Sequence, residues 1–311
     1  MRHDAVIEVG RALAHGALAL ALLGAGTALA QPDEAPLQRL EGTLRKARET
    51  GAVTLAYRES SVPFSYLTPR GEAIGYSIDL CRLVVDAMAE ALGRATLEIR
   101  WLAVTPETRI DAIATGKADL ECGSTTSNLE RAKRVAFSPI IFVSGTKLLV
   151  RRGSPVKSFR DLGGRKVAVT ATTTNEKALR DLAARFKIPL TLVPAPDHAA
   201  AFGLLSSGQV DAFATDEVLL YGLLAQTHLR AQFQVTGEFL SYDPYGLMFR
   251  RDDPQLAQLV RSTFHTLAAD GELERRYKRW FLRRLPSGES LDLPMNPQLT
   301  AIFESMAAGT E

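Results

Sequence analysis

Arg58, Arg109, Arg131, His198 and Asp216 are the residues of this chain whose types and surroundings suit chemistry, and that chemistry is the non-covalent holding of charged groups. Arg131 follows Ser124-Thr125-Thr126, which comes just after a predicted strand. A guanidinium grips a carboxylate through two parallel hydrogen bonds, which an ammonium cannot do, and neighbouring hydroxyls add donors. Standing alone, Arg131 reads equally as a surface arginine near a helix start. Asp216 lies at the end of a strand predicted over 210–214, where a carboxylate can face a cleft and take an ammonium; it reads equally as the N-cap of the next helix, and the two roles are compatible. Arg58 sits in the loop after a strand, Arg109 at a helix start where solvation alone accounts for it, and His198 at the opening of a helix. A histidine ring and a helix N-terminus both favour an anion. Thr172, Thr173 and Thr174 precede another helix, and hydroxyls with free backbone N–H groups suit an anion there too, although capping explains one of them. No nucleophile elbow, phosphate loop or metal-ligand spacing is present, and His198 has no His or Cys neighbour at metal distance in sequence. No cofactor, metal or catalytic residue is expected.

Groups scattered from 58 to 216 need a sizeable fold to meet. The 311 residues allow one large or two medium domains, and 46% hydrophobic with 23% charged content is ordinary for a soluble globular chain. A formal net charge of +2 implies no polyanion, so no nucleic-acid partner is expected. The basic cluster Arg275, Arg276, Lys278, Arg279, Arg283, Arg284 alternates with Tyr277, Trp280 and Phe281, the pattern of an amphipathic helix with a solvated basic face. At the N-terminus, Arg2 and Arg11 precede a short apolar run and then Ala28-Leu29-Ala30, the layout of a secretory signal peptide over residues 1–30. Export permits a disulfide between Cys81 and Cys122. Yet Cys81 falls on the apolar stripe of a predicted helix and Cys122 at a strand end, and the two read as buried, unpaired small hydrophobes.

Strands are predicted over 53–57, 97–104 and 119–122, with helices over 77–92 and 106–115 between them. The alternation restarts with strands over 167–170, 190–193 and 210–214 and helices over 175–186, 198–206 and 216–226. Alternating strands and helices predict an α/β fold built on parallel sheets. The segment from Ile110 to Leu120 also resembles that from Phe202 to Ala212, each ending a helix at Gly and opening a strand near Asp. One unit therefore occurs twice, which predicts two lobes. The chain is expected to cross to the second lobe near 145–150 and return near 242–247 through two hinge strands, with helices over 254–268 and 271–283 and a proline-bearing tail over 286–311 wrapping the first lobe.

At this point whole stretches resemble a known family, the periplasmic amino-acid-binding proteins (solute-binding protein family 3) of ABC transporters, and most of all its glutamate/aspartate-binding branch. The stretches are Arg58-Glu59-Ser60-Ser61-Val62-Pro63-Phe64-Ser65-Tyr66, Gly75-Tyr76-Ser77-Ile78-Asp79, the run from Glu121 to Arg131, Phe142-Val143-Ser144-Gly145-Thr146, Asp197-His198 and Asp216. The resemblance implies a two-lobed periplasmic-binding-protein-like (type II) fold with two hinge-strand crossovers. Lobe one would be 31–147 plus 243–311, and lobe two 148–242. It implies capture of an acidic amino acid by hinge closure and delivery to ABC permease subunits by a periplasmic, monomeric, non-enzymatic protein. Arg131, Ser124 and Thr126 would clamp the α-carboxylate, Asp216 the α-ammonium, and Arg58, Arg109 and His198 the side-chain carboxylate, with Thr173 and Thr174 assisting. Two positions depart from the family pattern: Thr172 stands where relatives commonly have Gly, and Pro106 where close relatives often place a Ser that helps hold the side-chain carboxylate. The rival readings are a lyase on the same bilobal fold, with Glu121, Asp216 or His198 as general acid or base, and a sensor subunit that presents ligand to a receptor.

Overall fold

Two five-stranded sheets with the same build carry the molecule, in a computed structural model that describes residues 39–309. The expected signal peptide and its cleavage point lie outside the described residues. In spatial order the first sheet runs Glu98–Ala103, Ala52–Tyr57, Leu120–Glu121, Met248–Arg250, Val135–Phe137. The second runs Thr191–Ala195, Lys166–Thr170, Ala212–Asp216, Thr146–Arg151, Phe233–Thr236. In each, three parallel strands are followed by a strand antiparallel to them. The chain passes from the first sheet to the second through Phe142–Ser144 and returns through Asp243–Tyr245, and these two crossing segments pair antiparallel, Ser144 opposite Asp243. From Leu40 onward the chain forms one compact unit.

The second sheet shows why these residues form strands. Leu148, Val150, Val167, Val169, Ala212 and Ala214 pack into a core on one face, while Leu149, Ala168 and Phe213 pack into another core on the opposite face. That is the two-residue period of a strand buried on both sides, which is why parallel strands read as continuous apolar runs rather than alternating ones. In the first lobe the helix Tyr76–Ala91 buries Cys81, Val84 and Met88 against the core, as its spacing predicts. The repeated unit has a physical basis. Gly116 and Gly208 both take positive φ, 73° and 77°. Three residues later the repeated aspartates bind the neighbouring parallel strand in the same way. Asp119 accepts from Thr54 N at 2.8 Å and donates its own N–H to Thr54 O; Asp211 accepts from Lys166 N at 2.8 Å and donates to Lys166 O. The aspartates staple each strand start to its neighbour.

Three expectations change. The cysteines are paired: Cys81 and Cys122 form a disulfide with their Cα atoms 6.1 Å apart. A residue on the buried face of the helix Tyr76–Ala91 and the residue just after the strand Leu120–Glu121 thus meet within bridging reach. The strand expected over 210–214 is Ala212–Asp216, which makes Asp216 its last residue. The tail contains a helix, Pro297–Ala307, opened by the Asn296 cap and Pro297 at its first position, and its Leu299, Phe303 and Met306 join the first lobe's core. Half of the basic cluster is ion-paired, Arg275 and Arg276 with Glu272, Arg276 also with Asp79, and Lys278 with Glu274, while Tyr277, Trp280 and Phe281 are buried. Among the described residues no helix is long and apolar enough to cross a membrane.

Candidate functional site

The carboxyl ends of the parallel strands supply the site, as expected where loops gather at the edge of α/β sheets. Arg58 follows Ala52–Tyr57, Ser124 and Thr126 follow Leu120–Glu121, Thr173 and Thr174 follow Lys166–Thr170, His198 follows Thr191–Ala195, and Asp216 ends its strand. Eight of the nine expected residues, Arg58, Arg109, Ser124, Thr126, Thr173, Thr174, His198 and Asp216, line one cavity between the two sheets, joined by Asn175 and Leu219. The free volume it encloses is ≈ 10 Å³. The two sides touch across it, with Thr126 Oγ1 3.2 Å from Thr174 Oγ1. Arg131 is not on the wall. It stands one layer behind, its Nη1 donating to the Thr126 carbonyl at 2.8 Å, and its own N–H is taken by the Asn128 cap.

The alternatives left open by the residues alone resolve on geometry. Asp216 occupies the N-cap position of Glu217–Thr227 but makes no capping hydrogen bond. Its carboxylate instead accepts from Asn175 Nδ2 at 2.9 Å and from the Tyr245 hydroxyl. Thr173 does cap its helix, accepting from Glu176 N at 3.2 Å. The helix His198–Ser206 is capped by Asp197, which accepts from Ala200 N, so part of the helix N-terminus is already satisfied. The His198 ring is anchored by its Nδ1 to Thr170 Oγ1 at 2.8 Å. Arg109 is buried rather than solvated, and its Nη1 donates to Thr125 Oγ1 at 2.7 Å, which in turn donates to Glu121 Oε2 at 2.8 Å.

Burial dominates the electrostatics. Arg58 is pulled down to about 9 by burial and then by repulsion from Arg109, against the pull of Glu121 and Asp197. Arg131 is likewise brought to about 9 by burial and Arg109. His198 is held well below the usual histidine range by burial and by the two guanidiniums of Arg58 and Arg109, so it stands neutral between them. Burial and the nearby Asp243 carboxyl push Asp216 well above the usual carboxylate range. At the site, Arg58 Nη2 and Arg109 Nε are buried with no hydrogen-bond partner among the described residues, as is the Glu121 Oε1 acceptor. Such groups are costly to leave unpaired.

Residue-type reasoning missed Asn175, Tyr245 and Asp243. Asn175 holds both Asp216 and Thr146, and Asp243 accepts from Thr126 Oγ1 at 3.0 Å. The signal for Asn175 was present, since it continues the Thr172–Thr174 run into the helix; Asp243 and Tyr245 lie on the returning hinge strand and carried none.

Two outcomes are expected from this geometry. His198 is depressed in the folded chain, so below the ordinary value of about 6.5 the unfolded chain binds the extra proton. Its contribution to stability is therefore complete above about pH 6.5 and is lost as the pH falls below it. Thermal unfolding of ligand-free protein between about pH 5 and 7.5 should show this slope, reduced by up to one proton in His198→Gln. Thr172 has φ 60° and is exposed. A β-branched residue is strained in that left-handed region by about 1–2 kcal/mol, of which the extra freedom of an unfolded glycine takes back a part. Thr172→Gly should gain roughly 1 kcal/mol in denaturant unfolding, and Thr172→Ala, which keeps a Cβ, much less.

Comparison with known proteins agrees with this architecture. The L-glutamate/L-aspartate-binding protein of Pseudomonas aeruginosa is 40% identical over 268 residues, 86% of this chain and 89% of that protein. The glutamate/aspartate import solute-binding protein of Escherichia coli is 35% identical over 289 residues, 93% and 95% of the two chains. Among solved structures, an ancestral arginine-binding protein bound to arginine superposes with a TM-score of 0.67 at 27% identity, covering 74% of this chain and 98% of that one. Residues 53–283 match the family model of bacterial extracellular solute-binding proteins, family 3. Paired α/β lobes joined by two crossing strands, a charged cavity between them and similarity along most of the chain lead to one conclusion: the chain belongs to the bacterial extracellular solute-binding proteins, family 3.

Proposed function

We propose that this protein captures an acidic amino acid, glutamate or aspartate, by closing its lobes around it, and delivers it to the permease subunits of an ABC importer. The observation that carries the reading is the pair of buried guanidiniums on the cavity wall, Arg58 and Arg109, each with a nitrogen that has no hydrogen-bond partner among the described residues. Against them the wall sets one carboxyl, Asp216. A wall with two permanent cations and one acid suits a ligand of net charge −1: the ammonium goes to Asp216, and the extra carboxylate goes to Arg58 and Arg109. His198, neutral beside them, adds a ring donor and gains a proton more readily once an anion lies next to it. Ser124, Thr126 and the backbone that follows take the α-carboxylate, with Arg131 fixing Thr126 from behind; Thr173 and Thr174 close over the same group from the other lobe. A neutral amino acid would leave a buried guanidinium unpaired, which is how a polar site rejects the wrong ligand.

In this reading lobe one is 31–147 with 243–311, lobe two is 148–242, and the hinge is the antiparallel pair Phe142–Ser144 and Asp243–Tyr245. The half-sites lie on different lobes, so ligand favours the closed form, the one in which both are engaged. The protein acts in the periplasm as a monomer after loss of its N-terminal leader, and it performs no turnover, in keeping with the binding proteins it resembles. Calorimetric titration with the natural amino acids, paired with small-angle scattering, tests the proposal. Tight binding confined to dicarboxylic amino acids, with compaction, is expected; firm binding of a neutral or basic amino acid instead, or tight binding without compaction, overturns it.

A further inference from the structure

Gly222 lies in the middle of the helix Glu217–Thr227, where its backbone is ordinary helix and nothing in its φ calls for glycine. A mid-helix glycine is less favourable than alanine, so its presence needs another reason. The helix has two working faces. Leu220, Leu223 and Leu224 pack into the second lobe's core, whereas Val218, Leu219 and Ala225 join the core cluster of the first lobe with Val62 and Phe64. Gly222 sits on that second face. A Cβ placed there would lie 2.1 Å from the Val62 carbonyl oxygen and 2.7 Å from its carbon, far inside the 3.0 Å that side-chain contacts respect. The obstructing atoms are backbone, which cannot swing aside as a side chain would. Val62 belongs to the loop that carries Arg58, and the helix begins directly after Asp216 and bears Leu219 of the cavity wall.

We propose that Gly222 sets the distance to which the two lobes close, and so the spacing between Arg58 on one lobe and Asp216 on the other. This rests on the reading of the protein as a lobe-closing amino-acid binder. A methyl group at 222 keeps the Val62 loop about 1 Å farther away, given the 2.1 Å approach. The Thr126–Thr174 contact of 3.2 Å then passes out of hydrogen-bond range.

The test combines ligand affinity, stability and a closure assay that needs no ligand. Gly222→Ala should weaken glutamate at least tenfold, and Gly222→Val more, while the ligand-free melting temperature holds or rises because the helix gains a better helix former. An affinity within twofold of wild type, or a melting temperature that falls by several degrees, overturns the proposal, since the glycine would then serve only packing within the fold. In a Thr126→Cys, Thr174→Cys background, oxidative cross-linking of the two lobes reports closure directly; Gly222→Val should slow it several-fold, and an unchanged rate also overturns the proposal. If the wild-type protein ignores dicarboxylic amino acids, the ligand assignment fails, and the cross-linking assay still decides the role of Gly222.

Discussion

Replacing Arg58 by Met is expected to weaken dicarboxylic amino acids by more than a hundredfold and, at the same time, to raise the melting temperature of the ligand-free protein. Both effects have one source. Arg58 is buried, its Nη2 has no hydrogen-bond partner among the described residues, and its charge is opposed by burial and by Arg109. A charge in that situation is a net cost to the folded chain, and an apolar side chain of similar length relieves it. The same charge is what a ligand carboxylate would meet. Removing one partner of a buried charged pair costs about 2–5 kcal/mol, a factor of roughly 30 to 5,000 in affinity. Calorimetry and thermal unfolding of the variant measure the two sides. A variant that loses stability along with binding would place Arg58 in the scaffold, and one that binds glutamate as before would remove it from the site. Arg58→Lys is expected to behave nearer to Met than to Arg in binding, since a point charge cannot make the parallel pair of hydrogen bonds.

The second large effect concerns stability alone. Breaking the Cys81–Cys122 bond by the double change to Ala should destabilise the protein by about 4 kcal/mol, the chain-entropy value for a loop of this length. The bond closes a sequence separation of 41 residues, and both cysteines are fully buried. For a protein of this size that is a fall of roughly 10 °C in melting temperature. Binding should suffer less than stability, because the loop after Cys122 keeps a second anchor: Ser77 Oγ donates to the Gly123 carbonyl at 2.7 Å. Titration of thiols in denaturant without reductant gives the direct check. It should find none in the native chain, and two free thiols or a loss below about 1 kcal/mol would contradict the bond and the role given to it.

Much of this molecule was legible before any coordinates. Period-two and helical spacing located the six parallel strands of the two sheets and the longer helices, because those patterns come from backbone geometry that each residue samples locally, while the strands Val135–Phe137 and Phe233–Thr236 and the helix Pro297–Ala307 were not foreseen. Glycines at 116 and 208 marked helix ends, and each takes a left-handed φ, as the sterics of a missing Cβ allow. The repeat of 110–120 in 202–212 announced two lobes, and the types of Arg58, Arg109, His198 and Asp216, each at a strand end or helix start, announced charge recognition. The chemistry of a side chain travels with its letter, so a list of candidates can be written from letters.

What that list could not contain was which groups spend their capacity on one another. Nothing local distinguishes a capping Asp216 from one that leaves its helix uncapped to hold Asn175 and Tyr245, and nothing local says that Arg131 grips the Thr126 carbonyl from behind the wall. The pairing of Cys81 with Cys122 was misread for the same reason, since each cysteine looked well placed in its own element. The amino-acid order by itself therefore determined the elements, their duplication and the kind of charge on offer. The tertiary structure alone decided the partners, and with them the close approach of Gly222 to Val62, because contacts between residues far apart in the chain are set by how packed surfaces fit rather than by any spacing along it.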